Sequence, residues 1–233
     1  MKIVCIRKRQ LYILIITIII FLLVFILFKN RTISTISTGM NNKIIGIDPG
    51  HGGMDPGTVS KNGIGEADIN LKIALKLKEI IESNGGKVVL TRKDNKALSD
   101  IKREDLEGRK EIIEKNKCHI FLTIHLNSFT DPKYYGAQVF YKKESNESMD
   151  LADCIQEELR KTLDEENNRV PQEREDVYLL RELDMAAVLI ECGFLSNPRE
   201  EKLLQSENYQ RKIAQGIYKG LTKYFDELEK NRE

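Results

Sequence analysis

The chain has three histidines, His51, His119 and His125, so each can be weighed for chemistry. His51 sits in the turn Asp48-Pro49-Gly50-His51-Gly52-Gly53, directly after the β-branched run Ile44, Ile45 and Ile47. A buried strand that breaks into a Pro/Gly turn displays groups at its carboxyl end, where α/β proteins bind ligands. His125 closes the run H-I-F-L-T-I-H and His119 opens it. Six strand residues, about 20 Å, separate these two. His51 and His125 therefore share one rim of a sheet, and His119 lies at the other.

Two carboxylates can join that rim. Glu66 follows the Gly63-Ile64-Gly65 turn at the entrance of a predicted helix, and Glu191 ends the apolar run A-A-V-L-I-E. A carboxylate closing a buried strand must be solvated, paired or functional. Two histidines and one carboxylate suit zinc with an open fourth position. A further carboxylate that does not bind metal can serve as general base on a water. His51, Glu66, His125 and Glu191 fill those four roles, without the residue types alone saying which carboxylate does which. That reading stops at a zinc hydrolase.

The elements that must position these groups alternate. Strands are predicted near residues 44–47, 87–91, 119–125, 136–141, 177–180 and 186–191. Helical stripes lie between and after them. Ile69, Ile73, Leu77 and Ile80 share one face, with Asp68 as N-cap and Asn84-Gly85-Gly86 as the stop. A second helix is expected near residues 106–116, and a third over 148–163 with Leu151, Ile155 and Leu159. Two more follow at 198–204 and along Tyr209, Ile213, Ile217, Leu221 and Phe225. Residues 164–176 read as a charged loop, a candidate partner contact or substrate rim. The alternation argues a single α/β domain with a sheet covered on both faces, and the short late connections suggest a mixed sheet.

Residues 1–42 stand apart. They hold six of the 37 basic residues and no acidic one, leaving 31 basic and 36 acidic residues beyond them. So mildly acidic a domain has no electrostatic reason to seek nucleic acid. Residues 11–28 are almost uniformly apolar and span about 27 Å as a helix, close to a bilayer's hydrocarbon core. Four basic residues precede them and no A-x-A site follows, so an uncleaved transmembrane anchor is expected, with a cleaved signal as the alternative. The positive-inside rule puts residues 30–233 outside the cytoplasm. Residues 30–42, rich in Ser, Thr and Asn, read as a linker. Cys118, Cys154 and Cys192 match no metal-binding spacing and read as small buried hydrophobes.

Four blocks then carry a resemblance. I-G-I-D-P-G-H-G-G (residues 45–53), G-E-A-D-I-N-L (65–71), L-T-I-H-L-N-S (122–128) and A-V-L-I-E-C-G-F-L-S-N (187–197) occur in this order over nearly all of residues 43–227. The chain resembles the zinc-dependent N-acetylmuramoyl-L-alanine amidases of the third amidase class. Its compact layout is most similar to their CwlD-type, germination-specific members from spore formers. The resemblance implies a zinc-exopeptidase-like α/β fold with a six-stranded mixed sheet flanked by helices. It implies zinc held by His51, Glu66 and His125, and Glu191 as catalytic carboxylate. Thr123 stands where Ser is common, Leu126 where Ala is common, and Ala186 where Pro often precedes the last strand.

The activity so implied is hydrolysis of the amide between the lactyl group of N-acetylmuramic acid and L-alanine in peptidoglycan, preparing spore cortex for muramic-δ-lactam. It divides the chain into an anchor (1–29), a linker (30–42), a zinc amidase domain (43–228) and a tail (229–233). Asn127 and the backbone of Gly52 and Gly53 are candidates to orient substrate or water, and an activating protein partner is allowed. Two rivals are a zinc peptidase cutting within the stem peptide and a peptidoglycan-binding protein that cuts nothing.

Overall fold

The computed structural model describes residues 40–231 continuously and, before them, residues 9, 12, 16–19 and 21. Most of the expected anchor and linker lies outside the described residues. Among those described, no helix is long and apolar enough to cross a membrane. The chain divides into two compact units, Met1–Ser37 and Thr38–Glu233, and the second is described below.

It is a single α/β domain. Six strands, β1 (Ile44–Pro49), β2 (Lys87–Leu90), β3 (Ile120–Asn127), β4 (Gln138–Lys142), β5 (Gln172–Arg174) and β6 (Ala186–Phe194), form one sheet in the order β2-β1-β3-β6-β4-β5. All neighbours are parallel except β4 against β6, so the sheet is mixed. Six helices flank it: α1 (Glu66–Ser83), α2 (Lys102–Lys115), α3 (Asn146–Leu163), α4 (Tyr178–Glu182), α5 (Pro198–Leu204) and α6 (Glu207–Lys230).

Side chains alternate across a strand with period two, and the core divides accordingly. Ile45, Ile47, Ile120, Leu122, Ile124, Val188 and Ile190 face one layer with the stripes of α1, α3 and α6. Phe121, Ala187 and Leu189 face the other, with Ile113 of α2 and Leu179 and Leu180 of α4. Central strands buried on both faces read as continuous apolar runs, which is why β3 and β6 were legible. Each large aliphatic so buried contributes about 1.5–3 kcal/mol. Met40 is fully buried in the larger cluster, and Cys118, Cys154 and Cys192 are free and buried.

Two predicted elements move. Residues 177–180 start α4 rather than forming a strand, because a short apolar run does not distinguish the two. Leu179, Leu180 and Leu183 bury together as one helical turn does. The sixth strand lies instead within the charged stretch, at Gln172–Arg174, a largely exposed edge strand with no apolar face to betray it. The N-cap of α1 is Gly65, not Asp68, which lies inside the first turn and accepts from Asn95.

Helices α3 and α6 approach closely where α6 carries Gly216 and Gly220. A Cβ on Gly220 would lie 2.5 Å from Ile155 Cα, which is backbone and cannot swing away. Gly220→Ala should therefore destabilise the domain by about 1–3 kcal/mol. Urea unfolding followed by circular dichroism checks this, and an unchanged midpoint would contradict the packing described.

Candidate metal centre

The parallel register brings the carboxyl ends of β1, β3 and β6 side by side. Asp48 pairs with Thr123, Pro49 with Ile124, and His125 with Glu191. His51 follows β1 in the turn, and Glu66 opens α1 beneath it. The structure gathers His51, Glu66 and His125 so that one donor atom from each lies within 4.8 Å of the others. Glu66 Oε1 is 3.2 Å from His51 Nε2 and 3.0 Å from His125 Nδ1. The two imidazoles meet edge to face with centroids 4.9 Å apart. Gly50 makes this convergence possible, since a Cβ there would lie 2.2 Å from the His125 ring. His119 is at the far end of β3, where its Nδ1 accepts from Ile44 N.

Each of the three is held by neighbours. His51 Nδ1 is 3.0 Å from Asp55 Oδ2, an arrangement that fixes which ring nitrogen faces the centre. Glu66 Oε2 accepts from Thr58 N, and Oε1 from Leu126 N and Asn70 Nδ2. Leu126, one of the departures from the family pattern, is buried, so its backbone rather than its side chain serves the centre.

The turn itself hangs on two buried arginines. Arg109 pairs with Asp48 Oδ1 at 2.9 Å and Asp105 Oδ2 at 2.8 Å, and donates to the carbonyls of Pro49 and His51. Arg92 donates to the carbonyls of Pro49, Gly50 and Ala67. Asp48 accepts further from Thr91 and, at Oδ2, from Thr123 Oγ1 at 2.8 Å. Thr for Ser at position 123 thus keeps the hydroxyl that the buried carboxylate uses. Sequence reasoning missed Asp48, Asp55, Arg92 and Arg109. Asp48 and Arg92 carried the signal used for Glu191, a charge closing an apolar strand.

The two glutamates sit in opposite electrostatic surroundings. Burial alone would raise the Glu66 carboxyl, but hydrogen bonds and charge from His125 and His51 outweigh it and hold the group well below the usual range. Burial would lower His51, but Glu66 and Asp55 raise it above its ordinary value. Glu191 faces the same cleft. Burial pushes its carboxyl up to about 7, against the pull of the His125 charge. Its Oε2 has no protein hydrogen-bond partner, and Arg174 Nη1 is 3.8 Å from Oε1. The cleft around these groups measures 940 Å³ and runs from Met54 and Lys102 past Asn127 to Arg174, Asp176 and Tyr178. Asn127 lines it while its Oδ1 accepts from Ser128 N. The N–H groups of Gly52 and Gly53 are taken by the carbonyls of Asp55 and Asn95, so they do not point at substrate as expected.

The sequence model of the N-acetylmuramoyl-L-alanine amidase family matches residues 45–223, which contain His51, Glu66, His125, Glu191 and the arginines that hold the turn. The chain belongs to this family. Membership makes it an enzyme, an amide hydrolase of N-acetylmuramoyl-L-alanine linkages. It is 37% identical over 199 residues to the germination-specific N-acetylmuramoyl-L-alanine amidase of Bacillus subtilis, covering 82% of this chain and 83% of that one. Among solved structures it is similar to the CwlD amidase of Clostridioides difficile, determined in complex with the GerS lipoprotein. That match has 50% identity and a TM-score of 0.77, over 79% of this chain and 99% of that one. An N-acetylmuramoyl-L-alanine amidase of Clostridium difficile 630 superposes with a TM-score of 0.73 at 33% identity, over 80% and 98% of the two chains. The domain's six-stranded mixed sheet is thus shared with amidases of known structure.

The raised Glu191 carboxyl has a stability consequence in the metal-free amidase. Below the ordinary value of 4.5 the group is protonated folded and unfolded alike. Between 4.5 and about 7 only the unfolded chain ionises, so this group lowers stability as pH rises and the penalty stays in full above 7. Metal-free Glu191→Gln lacks the penalty. It should exceed the parent in stability by roughly 1–3 kcal/mol at pH 8, with the gap closing towards pH 4.5. Urea midpoints across that range check it; a gap that widens on acidification would contradict it.

Proposed function

We propose that this centre binds zinc through His51, Glu66 and His125, with Glu191 as the catalytic carboxylate. The observation that carries the reading is the convergence of the three donors within 4.8 Å at the floor of a cleft whose wall holds a second, elevated carboxylate. The donor set suits the metal, since two imidazoles and one carboxylate with an open side are a catalytic zinc set. Asp55, 3.0 Å from His51 Nδ1, supplies the carboxylate that orients a ligating imidazole in such sites.

Zinc, once bound, supplies a Lewis acid that polarises the lactyl carbonyl and eases deprotonation of a water. Glu191 takes that water's proton as the carbonyl is attacked, then passes it to the alanine nitrogen as the C–N bond breaks. Its elevated proton affinity suits both halves of that transfer. The ionised Glu66 and the fixed His51 tautomer keep the opposite side of the centre anionic and rigid. Asn127, at the cleft wall, is the candidate to meet the substrate backbone.

The wider reading is a spore-cortex amidase. Similarity to a germination-specific amidase and to CwlD supports a role in the peptidoglycan processing that leads to muramic-δ-lactam. That substrate lies outside the cytoplasm, which agrees with residues 1–29 as an anchor, 30–42 as a linker, 43–228 as the catalytic domain and 229–233 as a tail. The CwlD amidase was solved with a lipoprotein, which favours a lipoprotein as the activating partner here too.

Glu191→Ala should abolish release of stem peptides from purified sacculi while retaining one zinc per chain, read by mass spectrometry and metal analysis. Cleaved stem peptides in the parent digest would instead mean a peptidase, and no change a binding protein. Asp55→Ala should weaken zinc about 10–100-fold in chelator competition. Undiminished affinity would remove Asp55 from the centre.

A further inference from the structure

The cleft continues past Glu191 towards β5 and there meets a guanidinium that the reaction leaves without a task. Arg174 lies on the edge strand, its backbone paired with Lys142. Its head is held in place. Nε and Nη2 donate to Asp176 at 2.9 and 3.4 Å, and the guanidinium carbon lies 5.1 Å from the centre of the Phe140 ring. Nη1 is left facing the cleft, 3.8 Å from Glu191 Oε1, too far for a hydrogen bond. The other cations of the cleft are differently occupied. Arg109 is spent on Asp48, Asp105 and the His51 carbonyl, and Lys102 pairs with Asp55 at the opposite end.

The charges of the substrate decide what this cation can meet. N-acetylated sugars are neutral, and the lactyl carboxyl is consumed in the scissile amide. The first stem residue, alanine, has no side-chain charge. The second is glutamate joined onward through its γ-carboxyl, which leaves its α-carboxylate free. That carboxylate lies five bonds from the scissile nitrogen, within about 7 Å of extended chain. Strand β5 lies two strand spacings beyond β6, about 10 Å, and the arginine side chain reaches back across most of it. A bound stem peptide leaving Glu191 over β4 and β5 thus brings its first anion to Nη1.

We propose that Arg174 binds the free α-carboxylate of the second stem residue and makes the enzyme selective for that anion over its amide. The proposal rests on the amidase reading of the centre. It also orients the substrate, with the peptide over the β4–β5 edge and the glycan towards β1 and α2. A preorganised guanidinium with a free N–H suits a carboxylate far better than a carboxamide, which brings no charge.

The test uses the zinc-loaded full-length chain and two muramoyl tripeptides that differ only in carboxylate against carboxamide at that position. The parent should prefer the carboxylate by about tenfold or more in kcat/KM, chiefly through KM. Arg174→Gln should bring the ratio close to one, and Arg174→Lys, which keeps charge but not the fork, should retain part of it. Calorimetry with the two released tripeptides should show the same order without turnover. Equal handling of both substrates by the parent overturns the proposal, as does an Arg174→Gln loss that leaves the ratio intact. If the parent cuts neither substrate even with its lipoprotein partner added, the amidase reading of the centre fails, and calorimetry still decides the role of Arg174.

Discussion

The centre depends on a buried ion pair, Asp48 with Arg109, at the end of β1. Neither residue is more than 2% exposed. Removing one partner of such a pair leaves an uncompensated charge, typically costing about 3–5 kcal/mol, so the two persist only together. Their surplus hydrogen-bonding capacity does the positioning. Arg109 spans Asp48, Asp105 and the carbonyls of Pro49 and His51, while Arg92 shares the Pro49 carbonyl and takes two more, from Gly50 and Ala67. A backbone whose carbonyls are so engaged cannot relax. His51 accordingly keeps a φ of 65°, in the left-handed region that a non-glycine residue seldom adopts. That conformation turns its ring towards Glu66 and His125.

From this rigid turn the chemistry follows by contrast between two carboxylates. Glu66 lies among two imidazoles and two backbone N–H donors and is held anionic. Glu191 lies one strand away, buried, with one oxygen lacking a protein partner, and is pushed up to about 7. Environments that drive two titratable groups apart fit them for different tasks, and on the proposed reading these are metal binding for Glu66 and proton transfer for Glu191. The parallel register of β3 and β6 sets this contrast, because it makes His125 and Glu191 neighbours on adjacent strands.

Much of this was legible in the sequence, for physical reasons that differ by residue. β3 and β6 are largely apolar, and His125 and Glu191 interrupt them where burial makes polarity informative. Glu66 was visible through the glycines before it. Arg109 and Asp105 were not, because nearly a third of the chain is charged and a buried arginine on a helix looks like a surface one until its partners are known. Asp55 and Arg174 were hidden likewise, in a polar loop and in an edge strand without an apolar face. Residues 177–180 show the converse failure, since an apolar tetrapeptide suits a helical turn as well as a strand.

The most direct measurement is X-ray absorption at the zinc edge of the loaded full-length chain. A first shell of two imidazole nitrogens and light oxygen donors at about 2.0–2.2 Å is expected, with His51→Ala reducing the imidazole contribution to one. Sulfur in the first shell, or an imidazole count that the removal of His51 leaves unchanged, would contradict the centre described.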